Sequence, residues 1–167
     1  MDYRFIIPLD GLEAGEQHFS WAAGKEFFAS FGGEDILDAD IKVEADVSGG
    51  PSVKVACALE GSITVACDRC LGDLELPVDT GFSIALRHSS QVPEDTDADD
   101  VVVIADDASE YGLDQEVYDY AMLSLPLVRA HGEGECDPAV AGRIGVRQPG
   151  DATDSPFAKL GEMIGNN

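Results

Sequence analysis

The sequence is short of positive charge. Ten Lys and Arg side chains stand against 33 Asp and Glu, a net charge of −23. Neutralising phosphates needs a basic surface, so this composition disfavours direct nucleic-acid binding. Long-range steering repels nucleic acid and anionic lipid and draws basic partners, although the same charge also serves solubility. No segment approaches the ~18 apolar residues of a membrane span. The first residues, MDYRFIIPLDGLEAG, lack the basic start and long apolar centre of a secretory leader. A soluble, cytoplasmic protein without a membrane partner is expected. No GxSxG, P-loop, GxGxxG or HExxH motif occurs. The acidic pairs Asp99/Asp100, Asp106/Asp107 and Glu133/Glu135 read as solvated surface rather than acid–base machinery. His18 and His88 have no evident nucleophile partner, and Trp21 and Tyr111 read as packing rather than base stacking. The expectation is therefore not an enzyme.

At 167 residues the chain fits one domain, 1–167, large enough to fold without disulfides or metal. The N-terminal part reads as β-structure. Tyr3, Phe5 and Ile7 alternate, and Ile41, Val43, Ala45 and Val47 alternate with polar residues, which predicts a half-buried strand. After the turn cluster Ser48–Ser52, the residues Val53, Val55, Cys57 and Leu59 share one face. Glu60–Ser62 reads as a turn into a second strand, Ile63–Cys67, a hairpin signal. LELPVD and GFSIALRH extend the meander as two further strands. Lys25–Gly33 is either a helical turn or a strand, and Val101–Ala105 is a candidate short buried strand.

The segment about 91–100, QVPEDTDADD, reads as a solvated acidic loop. Asp114–Leu125 is the best helix. Asp114 suits the cap, Glu116 suits the positive N-terminal end, and Val117, Ala121 and Leu125 recur at spacing four. Pro126 ends it. Residues 132–154 read as loop. DSPFAKLGEMIG reads as a short C-terminal helix with Ser155 as cap and Pro156 in the first position. The fold class expected is α+β: a mainly antiparallel sheet, able to close partly into a barrel, with one substantial helix across it.

Only four cysteines are present. In a reducing compartment such thiols serve metal or chemistry more often than disulfides. Cys57 shares the alternating apolar face and reads as a core residue. Cys67 and Cys70 lie three apart between a strand, a turn and another strand, as in a zinc knuckle. A redox dithiol would instead open a helix inside a βαβ unit. Two further ligands would come from His18, His88, His131, Cys57 and Cys136. In AHGEGECDP, His131 and Cys136 have an H-x4-C spacing that lets both converge on one ion. Cys67, Cys70, His131 and Cys136 then form a Cys3His set suited to structural Zn²⁺. Unligated thiols and redox chemistry stand as the other readings.

The order CDRCL after a strand, then DQEVYDYAMLSLPLVRAHGEGEC, then DSPFAKL resembles the YceD family, the bacterial large ribosomal RNA subunit accumulation proteins. The resemblance covers roughly residues 60 to 160. Its landmarks here are Cys67, Cys70, the helix, Leu125-Pro126-Leu127, His131 and Cys136. Richer members carry further cysteines after the helix, where this chain has only Cys136. The resemblance implies a non-enzymatic role in accumulation or maturation of large-subunit ribosomal RNA. Combined with the charge, it suggests a basic protein partner, a ribosomal protein or assembly factor, met by the acidic tract Glu94–Asp119. The alternatives are a zinc-stabilised module contacting RNA directly through Arg69, Arg129, Arg143 and Arg147, and a CxxC redox or metal-handling protein.

Overall fold

The computed structural model describes residues 4–10, 15–50, 52–91 and 101–142. Seven strands and three helices follow in order. They are β1 (Ile6–Pro8), β2 (Glu16–Gly24), α1 (Lys25–Ser30), β3 (Ile36–Ser48), β4 (Val53–Ala66), β5 (Asp73–His88), β6 (Val101–Ile104), β7 (Glu110–Gly112), α2 (Asp114–Ser124) and α3 (Pro138–Ala141). The chain is α+β, as expected. Strands β2, β3, β4 and β5 pair antiparallel in that order, and β6 adds to β5 in parallel. Strands β1 and β7 form a separate two-stranded ladder.

The sheet is open rather than closed into a barrel: its edge strands, β2 and β6, do not pair with each other. A barrel buries its inner face by wrapping strands around it. Here α1 covers that face over β2 and β3, and α2 covers it over β5, so the apolar side has no need of closure.

Strand β4 runs unbroken through Glu60–Ser62, which corrects the hairpin expected there. Gly61 is paired with Ile41 on one side and Val78 on the other. Likewise LELPVD and GFSIALRH are one strand, β5. The alternation explains both. Val55, Cys57, Leu59, Ile63, Val65 and Cys67 are buried on one face, and that phase passes through Gly61 without a slip. A turn would have broken it. Strand β2 was absent from the expectation. Phe19, Trp21 and Ala23 alternate along it, and the first two rings stack with centroids 5.6 Å apart.

The buried residues form one cluster, with Phe27 and Phe28 of α1 and Val117 and Ala121 of α2 facing the sheet side chains. Lys25–Gly33 thus resolves to a helix, closed by Gly32 at φ 87°. Helix α2 stops where Pro126 requires, with Leu125 extended at φ −73° and ψ 143°. Asp114 does not cap it. Its buried carboxylate accepts the backbone N–H of Arg4 (2.8 Å) and of Phe5 (3.1 Å), pinning the N-terminal segment to the helix start. Within the stretch read as loop, α3 is capped by Asp137, whose Oδ1 accepts the Ala139 N–H at 2.8 Å. Most of the acidic loop about 91–100, the remainder of 132–154 and the C-terminal helix lie outside the described residues. No described helix is long and apolar enough to cross a membrane.

Candidate metal centre

Strands β4 and β5 reach the same end of the sheet, and the six residues between them make a tight knuckle. The Cys67 N–H donates to Gly72 O (2.8 Å) and the Leu71 N–H to Cys67 O (2.9 Å). Leu71 takes φ 60°, a left-handed conformation that lets the chain reverse. The segment leaving α2 is laced to this knuckle. The Asp68 N–H donates to Arg129 O (2.7 Å), and the Arg129 N–H returns to Asp68 Oδ2 (2.8 Å). Two residues later His131 arrives over the turn, and the Gly132–Glu135 loop brings Cys136 back. The Glu135 N–H donates to Gly132 O (3.2 Å), the Gly132 N–H to Glu135 Oε2 (2.9 Å), and Gly134 supplies φ 83°.

The sequence-predicted ligands therefore meet. The three sulfurs and one ring nitrogen of Cys67, Cys70, His131 and Cys136 all lie within 4.8 Å of one another, and no other such group occurs among the described residues. Cys67 Sγ is 3.9 Å from Cys136 Sγ. His131 Nδ1 is 3.4 Å from Cys70 Sγ and 4.0 Å from Cys136 Sγ. Zn–S of about 2.3 Å and Zn–N of about 2.0 Å give tetrahedral edges of roughly 3.5–3.8 Å, so these three separations lie within about half an ångström of such edges. Outward, His131 Nε2 donates to Asp73 O at 3.0 Å. That fixes the tautomer whose Nδ1 lone pair faces the sulfurs, the usual outer support of a ligating imidazole.

The thiols are unequal. Burial pushes Cys67 up, but the N–H groups of Cys70, His131 and Arg69 outweigh it and bring the thiol to about 6. The N–H groups of Gly72 and Asp137 lower Cys70. Burial, then the neighbouring Cys70 and Cys67, push Cys136 to about 11. Hydrogen bonds to Cys67 and Cys70 raise His131. Donor chemistry and placement fit a structural zinc site, in which four protein ligands leave no position for water or substrate.

The other candidates fall elsewhere. Cys57 sits in the core, its thiol pushed to about 12 by burial and then by Glu116. His18 lies on the outer sheet face against Asp46 (2.8 Å) and Glu44 (3.4 Å). His88 Nδ1 meets Ala105 O at 3.1 Å. Of the acidic pairs, Asp106 accepts the Ser90 N–H (3.0 Å), and Asp99 and Asp100 lie outside the described residues. The Arg129 guanidinium is held by Asp35 at 2.7 Å, and Arg143 and Arg147 lie outside the described residues. A cavity of about 420 Å³ at the opposite end of the sheet, lined by Asp46, Lys54 and Ser83 among others, includes none of the predicted site residues.

All four converging side chains fall inside residues 55–163, the span matched by the family model described as large ribosomal RNA subunit accumulation protein YceD. The chain belongs to the YceD family. That span is well over half of the sequence, and it begins in β4, so β1, β2, α1 and β3 precede it. The family's name implies a role in accumulation of large-subunit ribosomal RNA and describes an accumulation factor rather than an enzyme. No curated protein and no solved structure matches the chain.

Proposed function

We propose that this YceD-family chain is a non-enzymatic ribosome-biogenesis factor. It promotes accumulation or maturation of large-subunit ribosomal RNA by holding a basic protein, a ribosomal protein or an assembly factor. One structural Zn²⁺ on Cys67, Cys70, His131 and Cys136 clasps the sheet end to the exit of α2. The observation that carries this reading is the convergence of those four ligand atoms within 4.8 Å, inside the family-matched span. A closed ligand set builds a rigid surface rather than a reaction centre.

Charge supports the protein partner. Between His88 and Val128 no Lys or Arg occurs, and Asp106, Asp107, Glu110 and Asp119 are exposed. Two acidic residues of the tract are unavailable: Asp114 is buried on backbone N–H groups, and Glu116 accepts the Tyr111 hydroxyl. Direct phosphate contact has little to work with, since Arg129 is already neutralised by Asp35. Burial of Cys67 and Cys70 favours ligation over dithiol exchange, which needs accessible sulfur.

The test is tagged recovery from lysate at low and high salt, with RNA and protein both identified. A basic large-subunit protein or assembly factor, released as salt rises, is the expected result. Recovery of naked ribosomal RNA without a basic protein overturns the partner assignment.

A further inference from the structure

We infer that the edge where the knuckle meets the exit of α2 is a docking surface for a basic, amphipathic helix of a partner protein. The inference rests on the basic-partner reading above and names the surface and the shape of what it holds. Among the described residues, the four most exposed large apolar side chains are Leu127 (102%), Leu123 (79%), Leu71 (77%) and Val128 (66%). Three of them, Leu71, Leu127 and Val128, stand within three residues of the Asp68–Arg129 hydrogen bonds. Leu123 lies in the last turn of α2, and Leu127 and Val128 follow it directly. Leu71 is in the knuckle, which is tied to that segment by the Asp68 N–H on Arg129 O and the Arg129 N–H on the Asp68 carboxylate. Leu71 and Arg129 also line one shallow cavity of about 280 Å³. The other exposed large apolar residues among those described, Ile6, Leu37, Val103 and Tyr120, are less exposed and are spread over β1, β3, β6 and α2, as on any soluble surface.

The conformation of the edge argues the same way. Leu125 is buried while Leu127, two residues on, is fully exposed, so the chain turns its apolar side outward after the helix. Leu71 holds φ 60°, where Gly or Asn would sit more easily. A leucine there keeps an apolar group at the tip against local preference.

Charge selects the occupant. Asp68, Asp73, Glu133, Glu135 and Asp137 are exposed around the patch. Arg129 is spent on Asp35, which leaves Arg69 as the local cation among the described residues. An apolar centre with an acidic rim is complementary to a helix whose apolar stripe is flanked by Lys and Arg. Nucleic acid would bring phosphates to that rim and find no aromatic platform in leucines. A second copy would bring the same negative rim.

The test uses the full chain with zinc and two labelled helical peptides of equal charge, one Leu/Lys amphipathic and one Ser/Lys. The variant Leu71→Asn/Leu127→Ser/Val128→Thr leaves the charge and all four ligands in place. The wild type is expected to bind the Leu/Lys peptide about tenfold more tightly than the Ser/Lys peptide at physiological salt, and the triple variant to lose that preference. Zinc content and unfolding midpoint serve as controls. Leu127→Ser alone, at a fully exposed position, gives a second reading should the triple variant lose its fold, with the preference cut about threefold. Equal binding of the two peptides overturns the inference, as does an unchanged preference in the variants. So does tighter binding of a single-stranded RNA oligonucleotide, or a dimer that the variants dissolve. Lysate recovery separates the two proposals. A basic protein captured equally by wild type and triple variant sinks this surface alone, whereas no basic protein in either capture sinks the partner reading beneath it.

Discussion

Replacing Gly61 by Ala asks directly whether β4 is one strand carrying Cys67 at its end. A Cβ at this position would lie 2.0 Å from Asp40 O and 2.8 Å from Ile41 Cα. Both are backbone atoms of β3 and cannot rotate away. The φ of 154° adds strain for any residue with a side chain. Relief requires β3 and β4 to part at the Ile41–Gly61 and Asp40–Ser62 pairs. Two weakened ladder bonds cost about 1–3 kcal/mol together, and the backbone strain costs a further ~1–3 kcal/mol. The total is on the order of 2–6 kcal/mol, which at a urea slope near 2 kcal/mol/M lowers the midpoint by roughly 1–3 M. Urea unfolding followed by far-UV circular dichroism measures it. Gly15→Ala is the control, because nothing lies within 4 Å of a Cβ there, and its midpoint should hold. A Gly61→Ala midpoint within about 0.3 M of wild type would refute the reasoning, because only a free turn at 60–62 absorbs that methyl so cheaply.

Three further outcomes are expected. Untagged protein should carry about one equivalent of zinc by elemental analysis, lost in Cys67→Ser and on chelation. Amide exchange should then rise in 67–73 and 129–137 while the sheet stays protected by its own core. Zinc well below one equivalent in the wild type removes the metal centre. Asp114→Ala strips the acceptor from the Arg4 and Phe5 N–H groups and should cost about 2–4 kcal/mol in urea unfolding. A loss below about 0.5 kcal/mol would show that the clamp contributes little. His18 should titrate above 6.5 by NMR, raised chiefly by its hydrogen bond to Asp46. Its stabilising contribution is then complete below the unfolded value of about 6.5 and is lost as pH rises through the folded value. Asp46→Asn should bring the midpoint back down, and a wild-type midpoint at or below 6.5 contradicts the assignment.

Periodicity made much of the architecture legible. The alternation of Ile41, Val43, Ala45 and Val47 marked β3, the spacing of Val117, Ala121 and Leu125 marked α2, and Pro126 marked its end. The H-x4-C and C-x2-C spacings picked out the four side chains that converge. Two misreadings had a visible remedy. The odd-numbered apolar phase from Val53 to Cys67 never slips at Glu60–Ser62, and Phe19, Trp21 and Ala23 alternate along β2. A glycine at 61 reads as punctuation because glycine usually is, yet it answers the close approach of β3, which no single strand's pattern reveals.

Local chemistry, then, determined which residues could bind metal, which face of each strand is apolar and where the long helix stops, because these depend on neighbours a few positions apart. What only the tertiary structure decided depends on groups far apart in sequence. Cys67 meets Cys136 across 69 positions, because β4 and β5 end beside the exit of α2. Asp114 serves Arg4 and Phe5 across about 110, so a residue suited to capping became a clamp. The sheet stays open because α1 and α2 cover its inner face, and the exit of α2 lies against the knuckle because Asp68 and Arg129 bond to each other across 61 positions.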